Sequence, residues 1–251
     1  MLITLKTMNR LASSSSSSKS HSESGFSLLE LAIVLVILGI IGGLSLPLLT
    51  SQISRAALVK TRAHQDYALS AIAAYVEKNK VFPCPADPQV MEPEYGLEQK
   101  ECQGKKAEGI LPFKTLGISE AFGRDGFKRL MTYVVDPGLA NRKNQNLLKT
   151  VEGGQMTVKN EEGVSVLPLK KEEKRGLISP NFIAIVLISH GESGIGSFIG
   201  KGQATKNLGQ DSSPYKKENY DSNFIFMESS QSDDIIRWES RDLFLKHYVG
   251  L

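Results

Sequence analysis

The amino-acid sequence predicts an α+β fold, in which one long N-terminal helix precedes a region of short β-strands. Two observations predict the helix: residues 26–49 contain Glu30 as their only charged residue, and residues 50–80 contain neither Gly nor Pro. A third observation predicts the strands. Beyond residue 128, short runs of Val, Ile, Thr, Tyr and Phe alternate with segments rich in Gly, Pro and charge.

The apolar segment 26–49 has the length and composition of a membrane span. A helix of this length extends ~36 Å, whereas the hydrocarbon core of a bilayer is ~30 Å thick. A span that serves only as an anchor has no use for a carboxylate near its start. A charged side chain costs about 2.5–3.5 kcal/mol at the membrane centre and less near the interface. Glu30 therefore indicates a function beyond anchoring; the alternative is a plain anchor whose Glu30 reaches back to the interface.

Residues 25–31 (Gly-Phe-Ser-Leu-Leu-Glu-Leu) resemble the processing site of type IV prepilins and type II secretion pseudopilins. The resemblance implies that prepilin peptidase, a membrane enzyme, cuts between Gly25 and Phe26 and N-methylates Phe26. It also implies that Glu30 pairs with the freed N-terminal amine of a neighbouring subunit and so sets the register between subunits. The close match covers residues 24–50, about a tenth of the chain.

Residues 1–25 are predicted to be a leader that is removed from the mature chain. They contain three basic residues and a run of Ser at 13–18, with no periodic apolar face. The competing interpretation is a secretory signal peptide. Against it, the apolar run exceeds a normal signal-peptide core, and residues 42–45 (Gly-Gly-Leu-Ser) offer no good Ala-x-Ala site.

The overall charge does not indicate a nucleic-acid partner. The chain has 251 residues, of which 41% are apolar and 23% charged, and its formal net charge is +3. The leader carries +2, from three basic residues against Glu23, which leaves +1 for the mature chain. The charges also do not predict which end of the span faces the cytoplasm. Basic residues lie on both sides of it, because the leader contains three and Arg55, Lys60 and Arg62 follow the span closely. The resemblance implies a single-pass inner-membrane protein with a cytoplasmic leader and a periplasmic globular part.

Small residues and a proline interrupt the end of the apolar segment. Pro47 removes one intrahelical hydrogen bond, and Gly42 and Gly43 lower helix stability further. The alternative interpretation is the ordinary Gly and Pro content of a membrane helix. Related pilins carry a Pro at this offset from the cut, which favours a segment that can bend or melt when packed in a filament.

The helical pattern continues through residues 50–80. Leu69, Ile72, Ala73 and Val76 have the i, i+3, i+4, i+7 spacing of one helix face. The sequence therefore predicts one helix from Phe26 to about residue 79, ~80 Å long. The resemblance implies that its second, periplasmic half packs on an antiparallel sheet.

Residues 81–251 are predicted to form a β-rich globular domain. Two prolines in residues 81–85 end the helix, and residues 84–110 and 191–223 are predicted to be long loops. Residues 111–117 and Asp125-Gly126 indicate turns, and residues 243–249 indicate a short strand or a terminal helix. The run 182–188 is apolar on both faces and is predicted to be the central strand. The other predicted strands are 129–135, 155–159, 224–228 and 234–239.

Cys84 and Cys102 are the only two cysteines. In a periplasmic domain they favour a disulfide that closes the 84–110 loop, and the alternative is two unpaired thiols. Two cysteines alone do not provide the four ligands of a structural zinc site.

The sequence lacks a recognisable catalytic site. Residues 189–193 (Ser-His-Gly-Glu-Ser) fail the nucleophile-elbow pattern, because Ile195 stands where the second Gly is required. Gly194-Ile195-Gly196 lacks the third Gly of the dinucleotide fingerprint. The four histidines are scattered, without metal-binding spacing. We therefore expect neither an enzyme nor a cofactor.

Calcium is the one metal that the resemblance raises, because some secretion pseudopilins bind it. No Asp-x-Asp spacing is present, so a solvated acidic surface is the favoured interpretation. The candidate ligands are Asp211, Asp221, Asp233 and Asp234.

The sequence thus predicts a structural subunit of a type IV pilus or of a type II secretion pseudopilus. The large globular part indicates a minor subunit. The implied partners are prepilin peptidase, other pilin or pseudopilin subunits, an inner-membrane assembly platform and membrane lipid. The alternatives are a pilin-like adhesin or DNA-uptake subunit and, less favoured, a membrane-anchored periplasmic enzyme.

Overall fold

A computed structural model describes residues 27–140, 154, 156–167, 182–201, 203–206, 220–221, 225–227 and 233–250. For residues 42–50, 105, 203–206, 220, 221, 225 and 227 it describes the backbone alone. The leader and Phe26 lie outside the described residues. The chain divides into two units, Met1–Leu49 and Thr50–Leu251, and its fold is mixed α+β with an N-terminal helix and an antiparallel sheet.

Helix α1 comprises Leu28–Asn79. It ends where Lys80 adopts a left-handed backbone conformation (φ 55°), three residues before Pro83. In the second unit the helix buries the face that the sequence predicts, because Leu69, Ile72, Ala73 and Val76 are all core residues. Within the part of the chain that the structure describes, no helix is both long enough and apolar enough to cross a membrane.

The main sheet has four antiparallel strands: β1 (Glu108–Ile110), β2 (Thr132–Val135), β4 (Ile183–Ser189) and β9 (Ile235–Ser240). Their order in the sheet is β1-β2-β4-β9. Strand β4 is buried along its whole length and lies between β2 and β9, which confirms the predicted central strand.

The sheet is covered on both faces. On one face Tyr133, Ile185 and Leu187 pack against helix α1 in one apolar cluster. On the other face Val186 and Ile188 join a second cluster with a small three-stranded sheet. Its strands are β3 (Thr157–Lys159), β7 (Tyr220–Asp221) and β8 (Ile225–Met227), in the order β3-β8-β7.

Several details of the globular domain differ from the predictions. Strands β3 and β8 pair in parallel, so the strand pairing is not antiparallel throughout. Residues 108–110, predicted as loop, form β1, and the predicted 191–223 loop contains a hairpin. Residues 241–249 form helical turns, which agrees with the helical alternative predicted for residues 243–249. The hairpin strands are β5 (Phe198–Gly200) and β6 (Gln203–Lys206), and the turns are helix α2 (Arg241–Phe244) and a π-helical turn (Leu245–Val249).

Tertiary contacts explain why these short strands lack a sequence signal. At β1, an added Cβ on Gly109 would overlap the carbonyl oxygen of Ala86. That close approach allows Ala86 and Ile110 to exchange backbone hydrogen bonds at 2.9 and 3.0 Å. Strand β1 is therefore fixed by a neighbouring segment and not by the side chains of Glu108 and Ile110.

Candidate functional site: the start of helix α1

Ser27 caps the N-terminus of helix α1. Its Oγ accepts a hydrogen bond from the backbone N–H of Leu29 at 3.3 Å, and its carbonyl oxygen accepts one from Leu31 at 3.1 Å. The bond to Oγ satisfies a backbone N–H that a helix start otherwise leaves unpaired, and the bond to the carbonyl oxygen is the first intrahelical bond. Ser27 and Glu30 also have the Ser-x-x-Glu spacing of a capping box, a signal that the sequence prediction missed.

Glu30 lies in the first turn of the helix and is exposed. Its negative charge is favourable there, because the N-terminal end of a helix carries partial positive charge. Among the residues that the structure describes, no cation forms an ion pair with Glu30. The carboxylate is therefore available to a cation from outside these residues.

The helix around Glu30 exposes apolar side chains on all sides. Eleven large apolar side chains between residues 28 and 41 are 47% or more exposed. A helix that is apolar all round requires an apolar environment, either a membrane or other protein. These residues are Leu28, Leu29, Leu31, Ile33, Val34, Leu35, Val36, Ile37, Leu38, Ile40 and Ile41.

One family comparison bears directly on this segment. Residues 20–46 match the family model described as the prokaryotic N-terminal methylation motif. The chain carries the prepilin-type cleavage and methylation motif of type IV pilins and pseudopilins. The match covers about a tenth of the chain and supports a pilin-like or pseudopilin-like precursor. No curated protein and no solved structure matches the chain.

The prepilin-type motif includes both residues of the predicted cut. Gly25 and Phe26 themselves lie outside the described residues, and so does the rest of the leader. Gly42, Gly43 and Pro47 lie within the bounds of helix α1, and their predicted role in bending stays a prediction. The motif implies processing by prepilin peptidase and assembly with other pilins.

In the globular domain, Cys84 and Cys102 are joined by a disulfide, with their Cα atoms 5.6 Å apart. Both are buried in the apolar cluster between helix α1 and the sheet. Beside them Glu98 accepts hydrogen bonds from Tyr75 Oη at 2.8 Å and from the backbone N–H of Cys84 at 3.2 Å. The hydrogen bond from Tyr75 therefore ties Glu98 to helix α1, and the disulfide closes the segment between residues 84 and 102.

Residues 189–193, the segment that fails the nucleophile-elbow pattern, take part in buried contacts. Ser189 Oγ donates a hydrogen bond to Asp125 Oδ2 at 2.7 Å. His190 Nε2 lies 2.8 Å from Thr132 Oγ1, and His190 Nδ1 lies 3.9 Å from Asp234 Oδ1. A hydroxyl, an imidazole and a carboxylate in this order resemble a catalytic triad. However, Thr132 is 1% and His190 6% exposed, so a substrate cannot reach them in this conformation.

The candidate calcium ligands are not brought together in the described part of the chain. Asp233 accepts hydrogen bonds from the backbone N–H and Oγ of Ser193 at 2.6 and 3.1 Å, and Asp234 lies beside His190. Asp211 and the side chain of Asp221 lie outside the described residues. Among the described residues, no group of three His, Cys, Asp or Glu side chains has a metal-binding arrangement.

A surface groove of about 650 Å³ runs along the exposed side of helix α1. One wall is the helix between Tyr67 and Asn79, and the other is the turn 115–118. Thr115 Oγ1 accepts a hydrogen bond from the backbone N–H of Glu98 at 2.8 Å, which holds the second wall in place. The lining includes the small side chains of Ser70, Ala71 and Ala74.

Proposed function

We propose that this chain is a structural subunit of a type IV pilus or of a type II secretion pseudopilus. It is made as a prepilin, cut after Gly25 by prepilin peptidase and N-methylated on Phe26. The observation that carries the proposal is the exposed carboxylate of Glu30 in the first turn of an apolar helix that carries the prepilin-type motif.

The pairing of Glu30 follows from the cost of leaving a charge alone in apolar surroundings. Removing one partner of a buried ion pair costs about 3–5 kcal/mol. Cleavage creates a new ammonium at Phe26, close to the level of Glu30 along the helix. A neighbouring subunit, offset along the helix axis, then brings its ammonium to Glu30. The exposed apolar side chains of residues 28–41 pack against those of other subunits in the filament core.

The proposed location follows from the motif and the apolar segment 26–49. We place this segment across the inner membrane, with the globular domain in the periplasm. Before assembly the lipid surrounds the apolar side chains, and afterwards the filament does. The partners are the peptidase, other pilin or pseudopilin subunits and an inner-membrane assembly platform. A minor position in the filament is favoured by the size of the globular part.

The proposal gives the protein no catalytic role and no cofactor. The polar side chains that resemble a catalytic arrangement, Thr132 and His190, are buried. Their hydrogen bond connects two strand ends and so contributes to the fold of the domain.

N-terminal sequencing of the membrane-extracted protein tests the proposal. In cells that contain prepilin peptidase, the mature chain is expected to begin with N-methyl-Phe26. A Gly25→Leu variant is the matched control, because it keeps the apolar run and removes the small residue at the cut; it should retain the leader. A mature chain that begins beyond Leu44 would contradict a prepilin and favour a secretory signal peptide.

A second candidate is a pilin-like binding subunit, an adhesin or a DNA-uptake subunit. The groove beside helix α1 favours it, because Tyr67 and Tyr75 offer aromatic rings and Lys78 offers a cation. Fluorescence polarisation with single- and double-stranded DNA separates a DNA-uptake subunit from a purely structural one. Binding that Tyr67→Ala weakens at least about tenfold supports this second candidate, whereas a structural subunit is expected to show none.

A further inference from the structure

Helix α1 begins directly after the predicted cut. The helix comprises Leu28–Asn79, and Ser27 is the residue that caps its start. Ser27 Oγ accepts a hydrogen bond from the backbone N–H of Leu29 at 3.3 Å. The bond at which the proposed cleavage occurs joins Gly25 to Phe26, so only Phe26 separates this bond from the cap.

The N–H group that Ser27 binds is the one that would draw the cut into the helix. In an α-helix the carbonyl oxygen of one residue accepts a hydrogen bond from the N–H four residues later. A helix that included Gly25 would therefore bond the Gly25 carbonyl oxygen to the N–H of Leu29. In the structure this N–H donates to Ser27 Oγ. The cap thus competes directly with helical bonding of the carbonyl group at the cut.

A second serine offers an earlier helix start. Ser24 is also a residue type that caps helices, and a helix capped there would have Gly25 and Phe26 as its first two residues. The sequence favours Ser27, because Glu30 stands three residues after it, as a capping box requires, whereas Ser27 itself stands three residues after Ser24. The poor helix propensity of Gly25 adds to this preference.

We propose that Ser27 is a positioning residue for cleavage after Gly25, an inference that rests on the proposed function. Hydrolysis breaks the bond between the Gly25 carbonyl carbon and the Phe26 nitrogen, with water as the second reactant. The enzyme must bring its own groups against that carbonyl, and neither the atoms nor the bonds of a helix turn should stand in the way. Ser27 keeps the carbonyl outside helix α1 without touching the reacting atoms.

The proposal predicts which kinetic constant Ser27 changes. When only a fraction of the substrate molecules has the competent conformation, the apparent affinity falls by that fraction. Loss of the cap increases the share of molecules whose helix begins at Ser24, and these molecules are not competent. The KM of the precursor therefore rises, whereas kcat stays the same, because every molecule that binds productively is cut at the normal rate.

Cleavage of the full-length precursor by purified prepilin peptidase in detergent micelles tests the proposal. Ser27→Ala and Ser27→Gly form the matched pair, because both remove the hydroxyl. Glycine caps a helix nearly as well as serine, whereas alanine shifts the helix start by a factor of about five. We expect Ser27→Ala to raise KM at least twofold and up to about fivefold, with kcat unchanged. Ser27→Gly and the capping variant Ser27→Asn should resemble the wild type.

Two further measurements report on the helix start itself. The Cα chemical shift of Phe26 in the micelles should move towards helical values in Ser27→Ala and keep its wild-type value in Ser27→Gly. Ser24→Ala, added to Ser27→Ala, should lower KM again, because the earlier helix start then loses its own cap. Ser24→Ala alone measures any separate effect of that position on the peptidase.

The possible outcomes separate this inference from the proposed function. Equal increases in KM for Ser27→Ala and Ser27→Gly would show that the peptidase contacts the hydroxyl itself, and they overturn the inference. An unchanged KM in Ser27→Ala, or a change in kcat alone, also overturns it. In each of these cases a wild-type precursor cut after Gly25 leaves the proposed function intact. A wild-type precursor that the peptidase does not cut there overturns both.

Discussion

The hydroxyl of Thr61 accepts a hydrogen bond from the backbone N–H of Gly126 and donates one to the carbonyl oxygen of Ala57, both at 2.9 Å. Thr61 is fully buried, so this hydroxyl joins helix α1 to the turn before β2 without contact with water. Gly126 also makes its closest approach to helix α1 here, at Ala57. The close contact between this turn and helix α1 therefore depends on the absence of a side chain at Gly126.

We predict that Gly126→Ala destabilises the globular domain. An added Cβ would overlap the backbone of Ala57, which cannot move without shifting the helix. Overpacking of this kind costs about 1–3 kcal/mol. Gly123→Ala is the matched control, because its Cβ would meet the Phe113 side chain at an ordinary 3.4 Å. Urea unfolding followed by Trp238 fluorescence compares the two, and equal midpoints would argue against the close contact.

A second prediction concerns the Cys84–Cys102 disulfide, which closes a loop with a sequence separation of 18. The chain-entropy model gives about 3 kcal/mol for a loop of this length, so Cys84→Ser with Cys102→Ser should lower the free energy of unfolding by about that amount. Mass spectrometry of unreduced tryptic peptides should show the two cysteines linked. If both are fully alkylated without reductant, packing alone holds the loop.

A third prediction is a pH dependence from Glu239. Burial raises the pKa of this carboxyl group, although Arg237, 3.0 Å away, and His247 act in the opposite direction. Because the folded pKa lies above the unfolded value of about 4.3, the stabilisation is complete below that value and is lost as pH rises through the folded pKa. A Glu239→Gln variant does not lose stability in this way as pH rises, because Gln does not ionise.

Unfolding experiments from about pH 4 to about pH 8 test the direction in which stability changes with pH. The stability of Glu239→Gln relative to the wild type should increase with pH and then level off. Glu77→Gln provides the control, because Glu77 is an exposed carboxylate on helix α1. A Glu239→Gln variant that loses stability relative to the wild type as pH rises would show that the ion pair with Arg237 outweighs burial.

The features that the sequence predicts well are those with a long periodic signal. The spacing of Leu69, Ile72, Ala73 and Val76 repeats over two turns, and the structure buries all four. The run 182–188 is apolar at every position, and the structure makes it the central strand. In both cases the apolar pattern indicates which faces of the element are buried. Such patterns are predictive because the burial of apolar surface is the dominant driving force of folding.

The features that the sequence misses are set by contacts between distant residues. His190 and Thr132 are 58 positions apart, and neither has a local pattern that indicates their hydrogen bond. Asp125 and Ser189 are separated by 64 positions. By contrast, Glu30 is evident from sequence alone because it is a single charge in an apolar run, and the capping spacing with Ser27 was available there too.

The last prediction is that Glu30→Ala blocks assembly but leaves processing intact. The cut is specified chiefly by Gly25 and the apolar run, which the substitution keeps. Removal of Glu30 deletes the partner of a neighbour's ammonium. In the assembled filament that ammonium is surrounded by apolar helices, where an unpaired charge is most costly. In the unassembled state it can stay near the membrane interface and remain hydrated, so the loss falls on the filament.

Cells that carry Glu30→Ala should hold mature-length protein in the inner membrane, with little in sheared or cross-linked filament fractions. Glu77→Ala is the matched control, since it removes an exposed Glu from the same helix beyond the apolar segment and should assemble normally. The processed N-terminus is checked in the same samples. If the Glu30→Ala subunit forms as many cross-links to its partners as the wild-type subunit does, the pairing mechanism is excluded, even if cleavage after Gly25 is observed. In that case the exposed apolar side chains of residues 28–41 would hold the filament without an ion pair to set their register.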